Sequence, residues 1–219
     1  MSLAEIRSEI ETAEAAAGRP PGTTTLVAVA KLQPVERVRQ VLEQGHRDFG
    51  ENRIHEAQRK WPNLRNEFPD VRLHLLGPLQ SNKVGAAMEL FDVVHSLDRV
   101  RIARKIARLA DASGRCPGLL VQVNTGEERQ KSGVQPSQLD AFLDELKPLD
   151  LPITGLMCIP PMNDEAALHF GLLAALAERH GLSDLSMGMS ADFASAVRLG
   201  ATFVRVGTAV FGKRDYSLR

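Results

Sequence analysis

Short apolar runs and amphipathic stretches alternate along this chain. The runs 25–30, 46–49, 72–76, 92–95, 119–124, 153–157, 184–187 and 202–206 have the length and apolar content of buried strands. Helical spacing fills the intervals. In 136–147, Leu139, Phe142, Leu143 and Leu146 fall at i, i+3, i+4 and i+7, and in 99–110, Ile102, Ile106 and Leu109 share a face. Asp98 and Ser190 read as N-caps, and Gly181 and Gly200 as C-caps. The opening stretch MSLAEIRSEIETAEAAAG reads as a charged amphipathic helix, and Arg19-Pro-Pro-Gly22 punctuates its junction with the first strand.

Strand–helix alternation predicts a parallel sheet. No linker divides the 219 residues, so residues 1–219 read as one domain. Eight strand candidates suit an α/β (β/α)8 TIM barrel with an extra N-terminal helix. An open flavodoxin-like sheet is the alternative, and it would leave several strand–helix units without a place.

Composition narrows the function classes. Formal net charge is +0, with no basic footprint, which argues against a nucleic-acid partner. The two cysteines, Cys116 and Cys158, form neither a disulfide framework nor a zinc motif, and the six histidines show no metal spacing. The N-terminal helix lacks the apolar centre of a signal peptide, and no run approaches the roughly 18 apolar residues of a membrane span. These features predict a cytoplasmic protein without a membrane partner.

The barrel reading sorts the polar residues, because active sites in this fold lie at the C-terminal ends of strands. Lys31 follows the first run, and Gly50-Glu51-Asn52 the second. Gly77-Pro78 follows the third, His95-Ser96 end the fourth and Asn124 the fifth. Met157 and Pro160-Pro161 follow the sixth, Ser186–Ser190 the seventh and Arg205–Thr208 the eighth. Lys31 has two readings: a solvated strand-end lysine, or an amine able to condense with an aldehyde. Ser186-Met-Gly-Met-Ser190 is an ordinary turn and helix start, or an anion site of glycine, hydroxyl and first-turn N–H groups. Arg205-Val-Gly-Thr208 is a strand end, or the second half of the phosphate site that barrels build after strands seven and eight. A lysine facing a phosphate cradle is the arrangement needed to hold pyridoxal phosphate (PLP). The same cradle would also fit a non-covalent phosphosugar. Lys131-Ser132-Gly133 reads as a surface turn, with a mobile anion-contacting loop as the alternative, and Ser81-Asn82-Lys83 as a similar turn, with lining of the mouth as the alternative.

Taken in order, VAVAK (27–31), FGENRIHEA (49–57), HLLGPLQSNK (74–83), HSLDR (95–99), QVN (122–124), KSG (131–133), GLMCIPP (155–161), LSMGMSADF (185–193) and VRVGTAVFG (204–212) resemble the pyridoxal phosphate homeostasis protein family. These are single-domain barrels related to the N-terminal domain of alanine racemase. The resemblance implies PLP held as an internal aldimine on Lys31. It implies phosphate contacts from Ser190, Gly207, Thr208 and the backbone of Met189, and Arg205 against the pyridine nitrogen. Asn52 and Asn124 match positions around the pocket. A cationic arginine there leaves the ring nitrogen without its own proton and makes the ring a poorer electron sink. The resemblance further implies a protein that buffers, carries or delivers PLP, with apo PLP enzymes as recipients and no established turnover of its own; an open rim without a covering domain is compatible with a monomer. The alternative is a weak amino-acid racemase, which needs an acid/base group on each face of the cofactor. Lys31 serves one face; the sole tyrosine, Tyr216, lies in the C-terminal tail. Many relatives carry serine before the lysine, another lysine two places after it and an acidic residue at position 194. Here Ala30, Gln33 and Ala194 stand instead.

Overall fold

A computed structural model describes residues 1–212; Tyr216 lies outside the described residues. Eight parallel strands close in sequence order, with β1 paired to both β2 and β8. They are β1 (Thr25–Val29), β2 (Asp48–Glu51), β3 (Arg72–Leu75), β4 (Val93–Leu97), β5 (Gly118–Val123), β6 (Ile153–Cys158), β7 (Asp184–Ser186) and β8 (Phe203–Val206). The helices are α1 (Leu3–Ala16), α2 (Val35–Glu43), α3 (Ile54–Glu67), α4 (Val84–Leu90), α5 (Val100–Ser113), α6 (Leu139–Leu146), α7 (Ala166–Arg179), α8 (Phe193–Arg198) and α9 (Thr208–Phe211). The (β/α)8 barrel and its additional N-terminal helix follow the expectation; the open sheet does not occur.

Period-two alternation divides the strand residues between two cores. Leu26, Ala28, Phe49, Leu73, Leu75, Val94, Leu119, Val121, Leu156 and Val204 face outward under the helices. Val27, Val93, Leu120, Met157 and Phe203 fill the barrel interior, with Leu76 beyond the end of β3. Three of the boundaries that differ from the sequence expectation have a local cause. Gly45, at φ +79°, turns the chain, and pairing with β3 begins only at Asp48 opposite Arg72, so β2 spans 48–51 rather than 46–49. Helix α5 is capped at Arg99, and the Asp98 carboxylate accepts from Arg99 Nε at 2.8 Å instead. Helix α8 begins at Phe193, not Ser190. Gly188 adopts φ +88°, and the Met189 carbonyl accepts from the N–H groups of Asp192 and Phe193, so a turn occupies the intervening residues.

Helix α1 carries a capping box, with Ser2 and Glu5 satisfying each other's backbone N–H groups. Its Glu14, 1% exposed, accepts from the N–H groups of Gly22 and Thr24 and from the Thr23 hydroxyl. Arg19 donates to the carbonyls of Val197 and Ala201, which ties the Pro-Pro turn to α8 and the approach to β8.

His46 lies beside the start of β2. Arg7 Nη2 approaches its Nδ1 at 3.3 Å, and its Nε2 lies 2.8 Å from the Asp48 carbonyl. An arginine can only donate and a carbonyl only accept, so the ring is a neutral Nε2–H tautomer. Burial pushes its pKa from 6.5 to about 4, against the Asp48 hydrogen bond and reinforced by Arg7. The unfolded chain therefore takes up a proton that the folded one refuses, so this contribution falls as pH drops from 6.5 toward 4. Between pH 7.5 and 4.5 the loss from this group is on the order of 2–3 kcal/mol. Urea unfolding of His46→Gln at both pH values is expected to show a decline smaller by that order.

Candidate functional site

Lys31 stands two residues beyond β1, on a turn at the C-terminal rim. The turn is clamped from below. Lys60, on α3 and 6% exposed, donates to the Ala30 carbonyl at 2.7 Å and to Glu51 Oε1 at 2.9 Å; Glu56 Oε1 lies 3.4 Å away. The same Glu56 oxygen accepts from the Leu32 N–H at 2.5 Å. Trp61 Nε1 donates to Glu51 Oε1 at 3.0 Å. The residues on either side of Lys31 are thus both bound to one buried charge cluster. Leu32 is held at φ +58°, a conformation that non-glycine residues seldom adopt. Burial pushes the Glu51 carboxyl above its ordinary range, against the opposing pull of Lys60 and Trp61. Gln33 accepts from Arg37 Nη1 at 3.5 Å, so the amide that stands where many relatives have lysine is a packed, uncharged group.

Lys31 lines a cavity of about 310 Å³ together with Asn52, Met189, Ser190, Arg205, Gly207 and Thr208. Of the residues expected around a cofactor, all but Asn124 are on this one cavity, with Val29, Leu76 and Ile159 as its apolar walls. That volume lies within the range of small-molecule sites. Ser190 lines the cavity from a turn three residues before α8, so it does not cap that helix. The Met189 N–H is held by Asp192 Oδ1 at 2.6 Å, which fixes the turn. A β-carbon at Gly188 would stand 2.5 Å from Ala196 Cβ, so the turn packs on α8 only because position 188 is glycine. Gly207 and Thr208 begin the short α9, where first-turn N–H groups have no intrahelical acceptor.

Asn52 is placed by close backbone contact. A β-carbon at Gly77 would lie 2.0 Å from the Asn52 carbonyl oxygen, so glycine there lets the loop after β3 rest on the Asn52 backbone. Asn124 does not reach the Lys31 cavity. Its amide exchanges hydrogen bonds with the backbone of Glu128 and closes its own loop, beside an adjoining cavity of about 220 Å³. Lys131, in that second cavity, pairs with Glu128 at 2.5 Å and donates to the Pro160 carbonyl at 3.1 Å. It is thus more than a plain surface turn.

Arg205 is 5% exposed and forms the cavity floor. Its Nη1 donates to Ser186 Oγ at 2.6 Å and its Nη2 to the Cys158 carbonyl at 2.8 Å. Burial lowers its pKa below the ordinary arginine value, against the opposing effects of Cys158 and Asp192, yet an arginine stays protonated. The Cys158 thiol is pushed up to about 12 by burial and is a poor nucleophile. Sequence reading did not anticipate Ser186, Glu51, Glu56 or Lys60 as support for the site. For Ser186 the available signal was a polar residue at an inward position of a buried strand. No group of three potential metal ligands occurs among the described residues.

Fold and cavity define a parallel barrel with one lysine and one buried arginine on a single small cavity at its C-terminal rim. The chain belongs to the family of the alanine racemase N-terminal domain, whose model matches residues 1–215, and within it to the pyridoxal phosphate homeostasis proteins. The pyridoxal phosphate homeostasis protein of Pseudomonas aeruginosa is 41% identical over 223 residues, covering 98% of this chain and 95% of that protein. The structure of PipY from Synechococcus elongatus with PLP bound matches with a TM-score of 0.79 and 38% identity, over 93% of this chain and all of that one. An alanine racemase from Clostridium difficile shares the fold alone, with a TM-score of 0.71 and 16% identity over 96% of this chain and 56% of that one.

Proposed function

We propose that this protein binds PLP covalently on Lys31 and takes part in its intracellular homeostasis by buffering, carrying or delivering it. The observation that carries the reading is one cavity on which Lys31, the Ser190 and Thr208 hydroxyls, Gly207 and Arg205 converge. The donor set suits the cofactor. PLP supplies an aldehyde that condenses reversibly with a primary amine, and the rim offers Lys31. Ser190, Gly207, Thr208 and the Met189 backbone are assigned to the phosphate, Arg205 to the ring nitrogen and Asn52 to the cavity wall. The PLP-bound PipY supports the same ligand here.

Cavity chemistry favours carriage over turnover. Lys31 and Arg205 are the ionisable side chains among its lining residues, and arginine does not exchange protons near neutral pH. Carbanion chemistry with an acid/base group on each face therefore finds one base in the cavity. The protein is assigned to the cytoplasm. Two free cysteines suit a reducing compartment, and no helix among the described residues is long and apolar enough to cross a membrane. Residues 1–219 are assigned to one domain acting as a monomer, with apo PLP enzymes as recipients.

Mixing the loaded protein with an apo PLP enzyme is expected to restore that enzyme's activity as the bound chromophore declines. Solvent deuterium exchange at the α-carbon of a panel of amino acids separates the racemase reading. Robust Lys31-dependent exchange, without transfer, would replace homeostasis by catalysis.

A further inference from the structure

Five polar side chains cross the barrel interior in one unbroken hydrogen-bonded line. Ser186 Oγ lies 2.6 Å from Arg205 Nη1 and 2.7 Å from His95 Nδ1. His95 Nε2 lies 3.0 Å from His74 Nδ1, and His74 Nε2 lies 3.0 Å from Asp48 Oδ1. His74 and His95 are both 0% exposed, and Phe203 packs edge-on against each, with ring centroids 5.6 and 5.3 Å away. The line begins at Asp48, the first residue of β2, and ends at Arg205 on the cavity floor.

Donor and acceptor chemistry gives every bond one direction. Arg205 can only donate, so Ser186 Oγ accepts from it. With both rings neutral, the Asp48 end fixes the order, and the single Ser186 proton goes to His95 Nδ1. His95 donates through Nε2–H to His74 Nδ1, and His74 donates through Nε2–H to the Asp48 carboxylate. The far end requires the same order, because a His74 lone pair turned toward Asp48 would oppose a carboxylate. Arg72 Nη1, 3.6 Å from Asp48, adds a cation at that end. Burial, then the proximity of His74 and Arg205, hold His95 well below its ordinary pKa, in keeping with a neutral ring.

We infer that Asp48, His74, His95 and Ser186 are positioning residues. They form a one-way hydrogen-bond chain that holds the Arg205 guanidinium in place as a donor toward a heteroaromatic ring nitrogen in the cavity. This deepens the assignment of Arg205 to the cofactor ring and rests on that reading. Without Ser186 the Nη1 bond has no acceptor, and the buried guanidinium keeps one fixed contact, at Cys158. The chain is anchored four hydrogen bonds from the cavity, so Asp48 acts without touching the ligand.

The test has two arms. In the cofactor-free wild-type protein, nitrogen-15 NMR of labelled histidines is expected to show His74 and His95 both as neutral Nε2–H tautomers at neutral pH. An Nδ1–H tautomer or a doubly protonated ring at either position overturns the chain. In the PLP-loaded protein, Ser186→Ala and Asp48→Ala are expected to shift the absorption band of the bound cofactor. They should weaken its retention about fivefold to tenfold, the size of one hydrogen bond. Borohydride still fixes the cofactor on Lys31 in both, and Ser186→Thr restores the band. Wild-type spectra and retention in both alanine variants would overturn the positioning role even with the tautomers as expected. Failure of the wild-type protein to form any chromophore would instead overturn the cofactor reading, leaving the measured tautomers intact.

Discussion

Lys31→Ala is expected to abolish the mass added by PLP and borohydride at this position, while leaving the protein folded. The half-buried side chain lies at the rim, outside both apolar cores, so its truncation removes no core packing. Lys31→Arg separates charge from chemistry. Arginine keeps the cation but offers no primary amine able to condense with an aldehyde. If the lysine serves only as a counter-ion for a phosphate, Arg should retain the ligand as well as Lys does. A covalent role requires Ala and Arg to fail alike in fixation, and intact-protein mass spectrometry after reduction measures both. Weak retention of unreduced PLP is expected in each, because Ser190, Gly207, Thr208 and Arg205 still line the cavity.

The largest stability effect is expected from Lys60→Met. Lys60 is the one cation within 4.0 Å of Glu51 and Glu56 among the described ion pairs, and Glu51 is 0% exposed with its Oε2 lacking a partner. Removing one partner of a buried pair costs about 3–5 kcal/mol, because the other is left without its counter-charge. For a chain of this length that lowers the melting temperature by roughly 10 °C. The effect should reach the site, since Lys60 also holds the Ala30 carbonyl and Glu56 holds the Leu32 N–H. PLP retention in Lys60→Met should therefore fall even at temperatures where the variant is folded. Adding Glu51→Gln should recover much of the stability by removing the uncompensated carboxylate. A melting temperature for Lys60→Met within 2 °C of the unaltered protein would mean that the cluster contributes little.

How far the sequence reveals these features depends on the range of the interactions. Short apolar runs identify all eight strands because each strand is buried on both faces, and the C-terminal rim follows from their direction. Lys31, Arg205 and the glycine-containing turns are therefore readable as one face. Helix starts are less readable. Ser190 has the right residue type for a cap, yet the Gly188 turn delays α8 to Phe193. His46 resembles a strand residue, but the start of β2 is set by its register with Arg72 on β3. The supporting clusters join distant positions. Nothing local links Glu51 to Lys60, or Asp48 to His74, His95, Ser186 and Arg205. Yet histidines at inward positions of buried strands are a warning, since a buried polar ring needs a partner. Their spacing excluded a metal motif; only barrel closure brings each ring to its acceptor.

Borohydride reduction of the purified protein after incubation with PLP, followed by peptide mapping, tests the central claim most directly. The account predicts a visible absorption band before reduction, its loss on reduction and the cofactor mass on the peptide bearing Lys31. An unmodified Lys31 peptide, with the cofactor mass elsewhere or absent, would contradict it.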